Sequence, residues 1–381
     1  MWDVNTNTTS LPVLDRFHGD DALVRLSARL MEWDEAPVTD EEIAEALGEG
    51  VIEAFRYTQK KLAGRVRKVT GEPSLCHSAD VAIRAVSLGY SEDIAKACLL
   101  HDVAEDTASS FAQLPEAFGE IAERFSTVLA QDVALLTNRH QLLFQATATK
   151  VRPTIEPTRR GVDAFRAALD VVYHESSPKL CRIFNREFVE VSTFLESDID
   201  LTEAANQHRR NRKFSFAKFI ERKLYGLYIR DMSRNAVTRV GVGMLPTPLI
   251  VKSVDITDNV RTSEISNRST LNRLLRKAET IIDVIQSAFL DQVPVDAATR
   301  STIAPLHRTV QIRFVDQIKL RRRALANNFS ETRFASLIRF LVDEGNRLTG
   351  KYRIPVNRIE VVEELEAEVR RINSLTPKAP Y

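Results

Sequence analysis

Ala95–Thr107 reads AKACLLHDVAEDT, and its apolar residues recur at helical spacing. Ile94, Ala97, Cys98 and His101 fall at i, i+3, i+4 and i+7, which predicts the last turns of one helix with His101 emerging from its buried stripe. Asp102 follows directly, Glu105 stands four residues after His101, and Asp106 four after Asp102. Ionisable groups on neighbouring helical rows at the edge of an apolar face are costly to hold unless something compensates them. Unpaired, the acids would repel one another or take up protons. A divalent cation removes both problems, because it neutralises the cluster and accepts nitrogen and oxygen ligands alike. Taken alone, the stretch also fits a helix end that carries acids and a core histidine. The rest of the chain has to decide.

Working outward, two other segments supply matching ligand types. Upstream, RVRKVTGEPSLCH (65–77) places three basic residues, Arg65, Arg67 and Lys68, before a turn at Gly71 and Pro73. His77 then opens a helix with Val81, Ala82, Ala85 and Val86 on its inward face. Gly89 ends that helix, and Ser91 followed by Glu92 and Asp93 begins the one that carries the opening stretch. Downstream, LIVKSVDITDNVRT (249–262) sets Asp255 within an apolar run of Leu249, Ile250, Val251, Val254 and Ile256. A buried acid needs a metal, a cap or a salt bridge as partner. His77, His101, Asp102 and Asp255 together offer two imidazoles and two carboxylates. That set suits Mn²⁺, Fe²⁺ or Zn²⁺ and leaves positions for water and substrate.

The remaining pattern is helical. Helices are predicted at Asp21–Trp33, from Thr39, over Val51–Leu62, Phe111–Ala122, Phe125–Leu136, Val162–Tyr173, Leu224–Arg234 and Leu271–Leu290, then at Arg313–Leu325 and Ser336–Leu348. Ile359, Val362, Leu365, Val369 and Ile372 form a seam in a last helix, 356–373, that would bind a second subunit or pack on its own domain. His208–Lys213 is basic and lies beside Phe214, Phe216 and Phe219, and reads as a solvated helix face next to core phenylalanines. Strand signals are scarce, there is no internal repeat, and Gly241 and Gly243 lack the lysine and helix of a phosphate loop. The predicted fold class is all-α.

Of the 381 residues, 44% are hydrophobic, which is ample for a large core. Lys and Arg number 53 against 52 Asp and Glu, so net charge gives no reason to expect nucleic acid or an acidic membrane as partner. Cys76, Cys98 and Cys181 have no framework spacing, which points to a reducing compartment. The N-terminus lacks a basic and apolar leader and no stretch reaches membrane-span length, so a cytoplasmic location is expected.

Three of these blocks resemble, in order, the motifs of the HD metal-dependent phosphohydrolases, and more narrowly the hydrolase domain of RelA/SpoT-type guanosine tetraphosphate enzymes. RKVTGEPSLCH resembles that family's basic–GEPY–HP block, LLHDVAEDT its LLHDxxEDT, and VKSVDITDNVRT its KLADxxxNxRT. The resemblance covers about 65–137 and 222–285, roughly half of the chain. It implies an HD-domain helical bundle over 51–285, with an insertion at about 140–221, N-terminal helices within 1–50 and a helical region at 286–381. It implies that His77, His101, Asp102 and Asp255 hold the metal, Mn²⁺ first, and that Glu105 and Asp106 position or deprotonate the attacking water. Arg67 and Lys68 would lie along a nucleotide substrate, with Asn259, Arg261 and Thr262 lining its ribose or phosphate side. The implied reaction removes the 3′-pyrophosphate of guanosine tetra- or pentaphosphate. Ser74 and Ser78 depart from the family's tyrosine and proline, and the insertion is long. Those departures favour another nucleotide or phosphoester as the alternative substrate, and a non-catalytic nucleotide-binding module is the second alternative.

Overall fold

The computed structural model describes residues 21–31, 37–67, 72–108, 111–151, 157–210, 215–235, 246–262 and 268–285. The C-terminal region 286–381, with the expected 356–373 seam, lies outside the described residues, as do Lys68 and residues 211–214 of the basic cluster. Among the described residues the chain is helical throughout, apart from one isolated antiparallel bridge between Val66 and Pro73. In chain order the helices are α1 (Asp21–Met31), α2 (Asp40–Leu47), α3 (Ile52–Lys61), α4 (Ser74–Ser87), α5 (Glu92–Leu100), α6 (Val103–Thr107), α7 (Leu114–Arg124) and α8 (Thr127–Leu136). They continue as α9 (Arg139–Ala148), α10 (Arg159–Glu175), α11 (Pro178–Thr193), α12 (Leu201–Arg210), α13 (Phe216–Asn235), α14 (Thr247–Thr262) and α15 (Arg268–Ile285).

Local chemistry starts these helices. Thr39 closes a reciprocal capping box with Glu42 at the head of α2, and Ser126, Asn138, Thr158 and Ser177 each accept a backbone N–H at the heads of α8, α9, α10 and α11. Gly48 ends α2 at φ 101°, a backbone conformation that side-chain-bearing residues rarely adopt and that favours glycine there.

Burial then sets the architecture. α4 and α5 form a helical hairpin through the Gly89 turn (φ 85°), with Ala79, Val81, Ala82, Ile83, Ile94, Ala97, Cys98 and Leu99 buried. α14 lies against α4, α5 and α8. α9, α10 and α11 pack together as a second group, with the Phe144 and Phe165 rings stacked at 5.0 Å. α13 touches α8, α9, α14 and α15, and its Tyr228 hydroxyl donates to the Leu136 carbonyl at the end of α8. Residues 140–221, expected as an insertion, form helices α9 to α12 with the start of α13. The metal-ligand candidates come from α4, from the α5–α6 junction and from α14, which meet in one place.

The single helix predicted for residues 95–107 is two. α5 ends at Leu100, His101 and Asp102 form a turn, and α6 restarts at Val103. Asp102 leaves helical geometry at φ −100° and ψ −6°. Apolar spacing runs unbroken through the turn, so periodicity could not reveal it. No described helix is long and apolar enough to cross a membrane.

Candidate metal centre

His77 lies in the first turn of α4, and its ring is 6% exposed. Its Nδ1 stands 2.8 Å from Oδ2 of Asp258, a residue wholly buried on α14. Arg84 contacts the other oxygen of that carboxylate at 3.4 Å. A buried carboxylate accepting from Nδ1 fixes the ring so that Nε2 faces inward. His101 is fixed in the same way by a different partner: its Nδ1 donates to the Cys98 carbonyl at 2.6 Å, one turn back on α5.

Both Nε2 atoms thus point at one spot, where two carboxylates join them. His77 Nε2 is 3.1 Å from Asp255 Oδ1 and 3.9 Å from Asp102 Oδ2. His101 Nε2 is 3.1 Å from Asp102 Oδ2 and 3.8 Å from Asp255 Oδ1. With each Nδ1 already donating, the neutral rings offer only lone pairs to the two carboxylates. Four acceptors in contact are repulsive unless a proton or a cation stands between them. His101 Nε2 is buried without a hydrogen bond, an orphaned ligand atom aimed at that position. The donor set, two imidazole nitrogens and two carboxylate oxygens, fits a divalent transition metal.

The electrostatics agree. Burial would hold the His77 ring neutral, but hydrogen bonds to Asp255 and Asp258 outweigh it and push its pKa up to about 10. His101 is raised too, as Asp102 overcomes the effect of burial. Asp102 is held at about 2, because the attraction of His101 exceeds its own burial cost. Asp255 lies well below the carboxylate range, with Lys252 and His77 overcoming burial. Lys252, one turn earlier on α14, approaches Asp255 Oδ2 at 2.7 Å. Without a metal, protons on the imidazoles and the Lys252 ammonium balance the acids.

Glu105 and Asp106 stand in α6 at the mouth of the site. Both side chains are exposed to solvent. Burial followed by repulsion from Asp102 raises the carboxyl pKa of both. Oε2 of Glu105 accepts the backbone N–H of Asn138 at 3.3 Å. A carboxylate with a raised pKa beside a metal position is suited to accept a proton from water.

Two candidates for substrate contact make hydrogen bonds to neighbouring groups. Arg67 places Nη1 2.8 Å from Glu72 and Nη2 2.7 Å from the Asn259 side-chain oxygen. The Asn259 amide in turn donates to Asp255 Oδ1 and, at 3.1 Å, to the Asp255 carbonyl. Arg67 and Asn259 thus form a brace behind Asp255. Arg261 and Thr262 form the last turn of α14, with side chains outside the described set, and Lys68 is outside it altogether.

Three groups escaped the sequence reading. Asp258 and Lys252 are each one turn from Asp255, so the D-x-x-D and K-x-x-D spacings were the available signal. Lys277, on α15, places Nζ 4.9 Å from the Tyr225 ring centroid, and its charge acts on Asp255 and Glu105. Burial followed by repulsion from Lys252 lowers its pKa. No motif marks it. A separate cavity of about 420 Å³, lined by Asp93, Lys96, Arg124 and Thr247 among others, contains none of these residues.

Asp258→Asn keeps the shape of the side chain but weakens its acceptance from His77. The expected result is a metal affinity lower by about 10- to 100-fold, read by competition against a chromogenic chelator. An unchanged affinity would remove Asp258 from the support of the site.

Residues 54–184 match the model of the HD domain. A stretch of 72 residues is 36% identical to the guanosine-3′,5′-bis(diphosphate) 3′-pyrophosphohydrolase of Aquifex aeolicus (strain VF5), covering 19% of this chain and 10% of that protein. The chain thus spans about a tenth of the length of that relative. No solved structure matches.

Proposed function

Because the chain carries an HD domain over residues 54–184, we propose that it is a metal-dependent phosphohydrolase that removes the 3′-pyrophosphate of a guanosine tetra- or pentaphosphate-like nucleotide. The observation that carries the reading is the cluster of His77, His101 and Asp102, whose ligand atoms lie within 4.8 Å of one another, with Asp255 Oδ1 3.1 Å from His77 Nε2 and 3.8 Å from His101 Nε2, and with His101 Nε2 buried and without a hydrogen bond. These four would hold the cation, with Mn²⁺ the first choice and Fe²⁺ or Zn²⁺ also compatible with a mixed nitrogen and oxygen set. When bound, such an ion supplies Lewis acidity and lowers the pKa of water from 15.7 toward about 7.

The chain's own residues do the rest. Glu105 takes the proton of the attacking water through the carboxylate oxygen not engaged by Asn138, and Asp106 stands beside it as the second acid. Lys277 meets the phosphate charge that builds on the leaving group. Asp258 and the Cys98 carbonyl hold the two imidazoles in orientation, and Arg67 with Asn259 holds Asp255. Lys68, Arg261 and Thr262 would contact the nucleotide. The name of the Aquifex relative and the three motif blocks support the guanosine substrate. Ser74, Ser78 and the helices of the insertion favour, as the second reading, the same chemistry on another nucleotide.

The test is Mn²⁺-supplemented hydrolysis of guanosine tetraphosphate by the full chain, beside a panel of nucleotides, with Asp102→Ala as blank. Each turnover consumes one water and releases GDP and pyrophosphate. Release from the tetraphosphate alone is the expected result. Turnover of a different nucleotide would retain the chemistry and replace the substrate. Metal binding without any turnover would reject the hydrolase reading in favour of nucleotide sensing.

A further inference from the structure

A second set of buried ionisable groups lies beside the site, and the proposed reaction leaves it without a role. Arg139, the first residue of α9, is 7% exposed; its Nη2 is 2.7 Å from Glu187 on α11, and its Nη1 donates to the Ile183 carbonyl at 3.4 Å. Its guanidinium carbon lies 5.8 Å from the Phe184 ring centroid, and Asp231 on α13 stands 3.8 Å away. Arg186 closes the group at 2.9 Å from Asp231 and 3.5 Å from Glu187. Next along α9, His140 is 1% exposed, and its Nε2 is 2.6 Å from Glu190. Glu187 is wholly buried.

A buried ionic cluster of this kind adds little net stability over apolar packing, but it fixes one arrangement of the elements that carry it. What it fixes here is the start of α9, tied at once to α11 and α13. The residue immediately before Arg139 is Asn138, whose backbone N–H donates to Oε2 of Glu105 at 3.3 Å. We propose that the Arg139 cluster is a positioning device for Glu105: it clamps the head of α9 so that the Asn138 N–H holds one carboxylate oxygen and leaves the other for proton transfer. The inserted helices, through α11, then govern the orientation of the acid at the mouth of the metal site. Besides that N–H, Glu105 faces Asp102 from the α5–α6 turn, Lys252 from α14 and Lys277 from α15. The inference rests on the hydrolase reading for its catalytic meaning, but its geometry can be tested without it.

Backbone angles allow a clean test. Asn138 has φ −74° and Thr137 before it is extended at ψ 124°, both compatible with proline at 138. Asn138→Pro removes the N–H and the side-chain cap; Asn138→Ala removes the cap alone. The two variants are compared in the full metal-free chain, with the Glu105 carboxyl followed by ¹³C NMR and assigned through Glu105→Gln. Relative to Asn138→Ala, the proline variant is expected to move the Glu105 midpoint upward by about one pH unit, since the charged form loses a hydrogen bond. In the Mn²⁺ assay its kcat falls about tenfold with KM unchanged. Arg139→Lys, which keeps the charge but loses the fork, shifts the midpoint in the same direction. Equal titration of the proline and alanine variants, or no shift in Arg139→Lys, overturns the proposal. A wild type that hydrolyses no nucleotide rejects the hydrolase reading instead, and the titration alone then decides the role of the cluster.

Discussion

Asp255→Asn is expected to abolish stoichiometric divalent metal and to lower phosphohydrolase turnover by about three orders of magnitude, the rate equivalent of losing roughly 4 kcal/mol of transition-state stabilisation. The effect is large because Asp255 has more than one part. Its Oδ1 faces both imidazoles at 3.1 and 3.8 Å, and its Oδ2 meets Lys252 at 2.7 Å. A neutral amide there leaves the Lys252 ammonium buried without its counter-charge, and that positive charge then opposes a cation in the site. Metal content per chain by mass spectrometry is the first readout, and far-UV circular dichroism separates loss of the ion from loss of the fold. Asp102→Ala should behave alike. A full equivalent of metal surviving in both variants would falsify the ligand set.

Glu105→Gln should give the opposite combination. Glu105 lies outside the four converging donors, and glutamine can still accept the Asn138 N–H. Metal content and KM are expected to stay near wild type while kcat drops by about 10²- to 10⁴-fold, the usual range for removing a general base. The direction with pH follows from the environment. Burial and the Asp102 charge hold the Glu105 carboxyl above its ordinary value. Only the deprotonated form accepts a proton, so activity is full above that raised value and falls as pH is lowered through it. The acid limb of the kcat profile should therefore sit at higher pH than for an ordinary glutamate, and should disappear in the glutamine variant. An intact limb in Glu105→Gln would assign it to another group, with Asp106 next in line.

Much of the site was legible because its chemistry needs unusual residues in unusual places. A histidine at the edge of an apolar stripe and an aspartate inside an apolar run each break local pattern, and the fold brings the two together, with His101 Nε2 3.8 Å from Asp255 Oδ1. Spacing could not show the break between α5 and α6, since the apolar period continues across it, nor where Arg67 would point. Arg67 was expected along a substrate, but its fork is taken by Glu72 and Asn259, an arrangement that depends on α14 arriving 192 residues later in the chain. Lys277 and the Arg139 cluster were invisible for the same reason. They are ordinary charged positions on amphipathic helices until tertiary packing buries them. Among the described residues, α9, α11 and α12 fall where no helix was predicted, and boundaries shifted where a short 3₁₀ turn, as at Glu49–Val51 and Phe111–Gln113, precedes the α-helix.

The separation of the donors along the chain has a consequence for biosynthesis. His77, His101 and Asp102 leave the ribosome together, but Asp255 lies on α14, beyond the whole of the insertion. At about 5–20 residues per second, the interval is roughly 8 to 30 s. During it the nascent chain presents a cluster of acids and imidazoles with neither its fourth ligand nor the Lys252 charge that comes with it. α14 brings both, and a cation held by this set would join α4 and the α5–α6 turn to α14 as a cross-link closing a very long loop. With that ligand set, metal capture would wait for the synthesis of α14, and chains truncated before α14 would lack Asp255 and Lys252 alike.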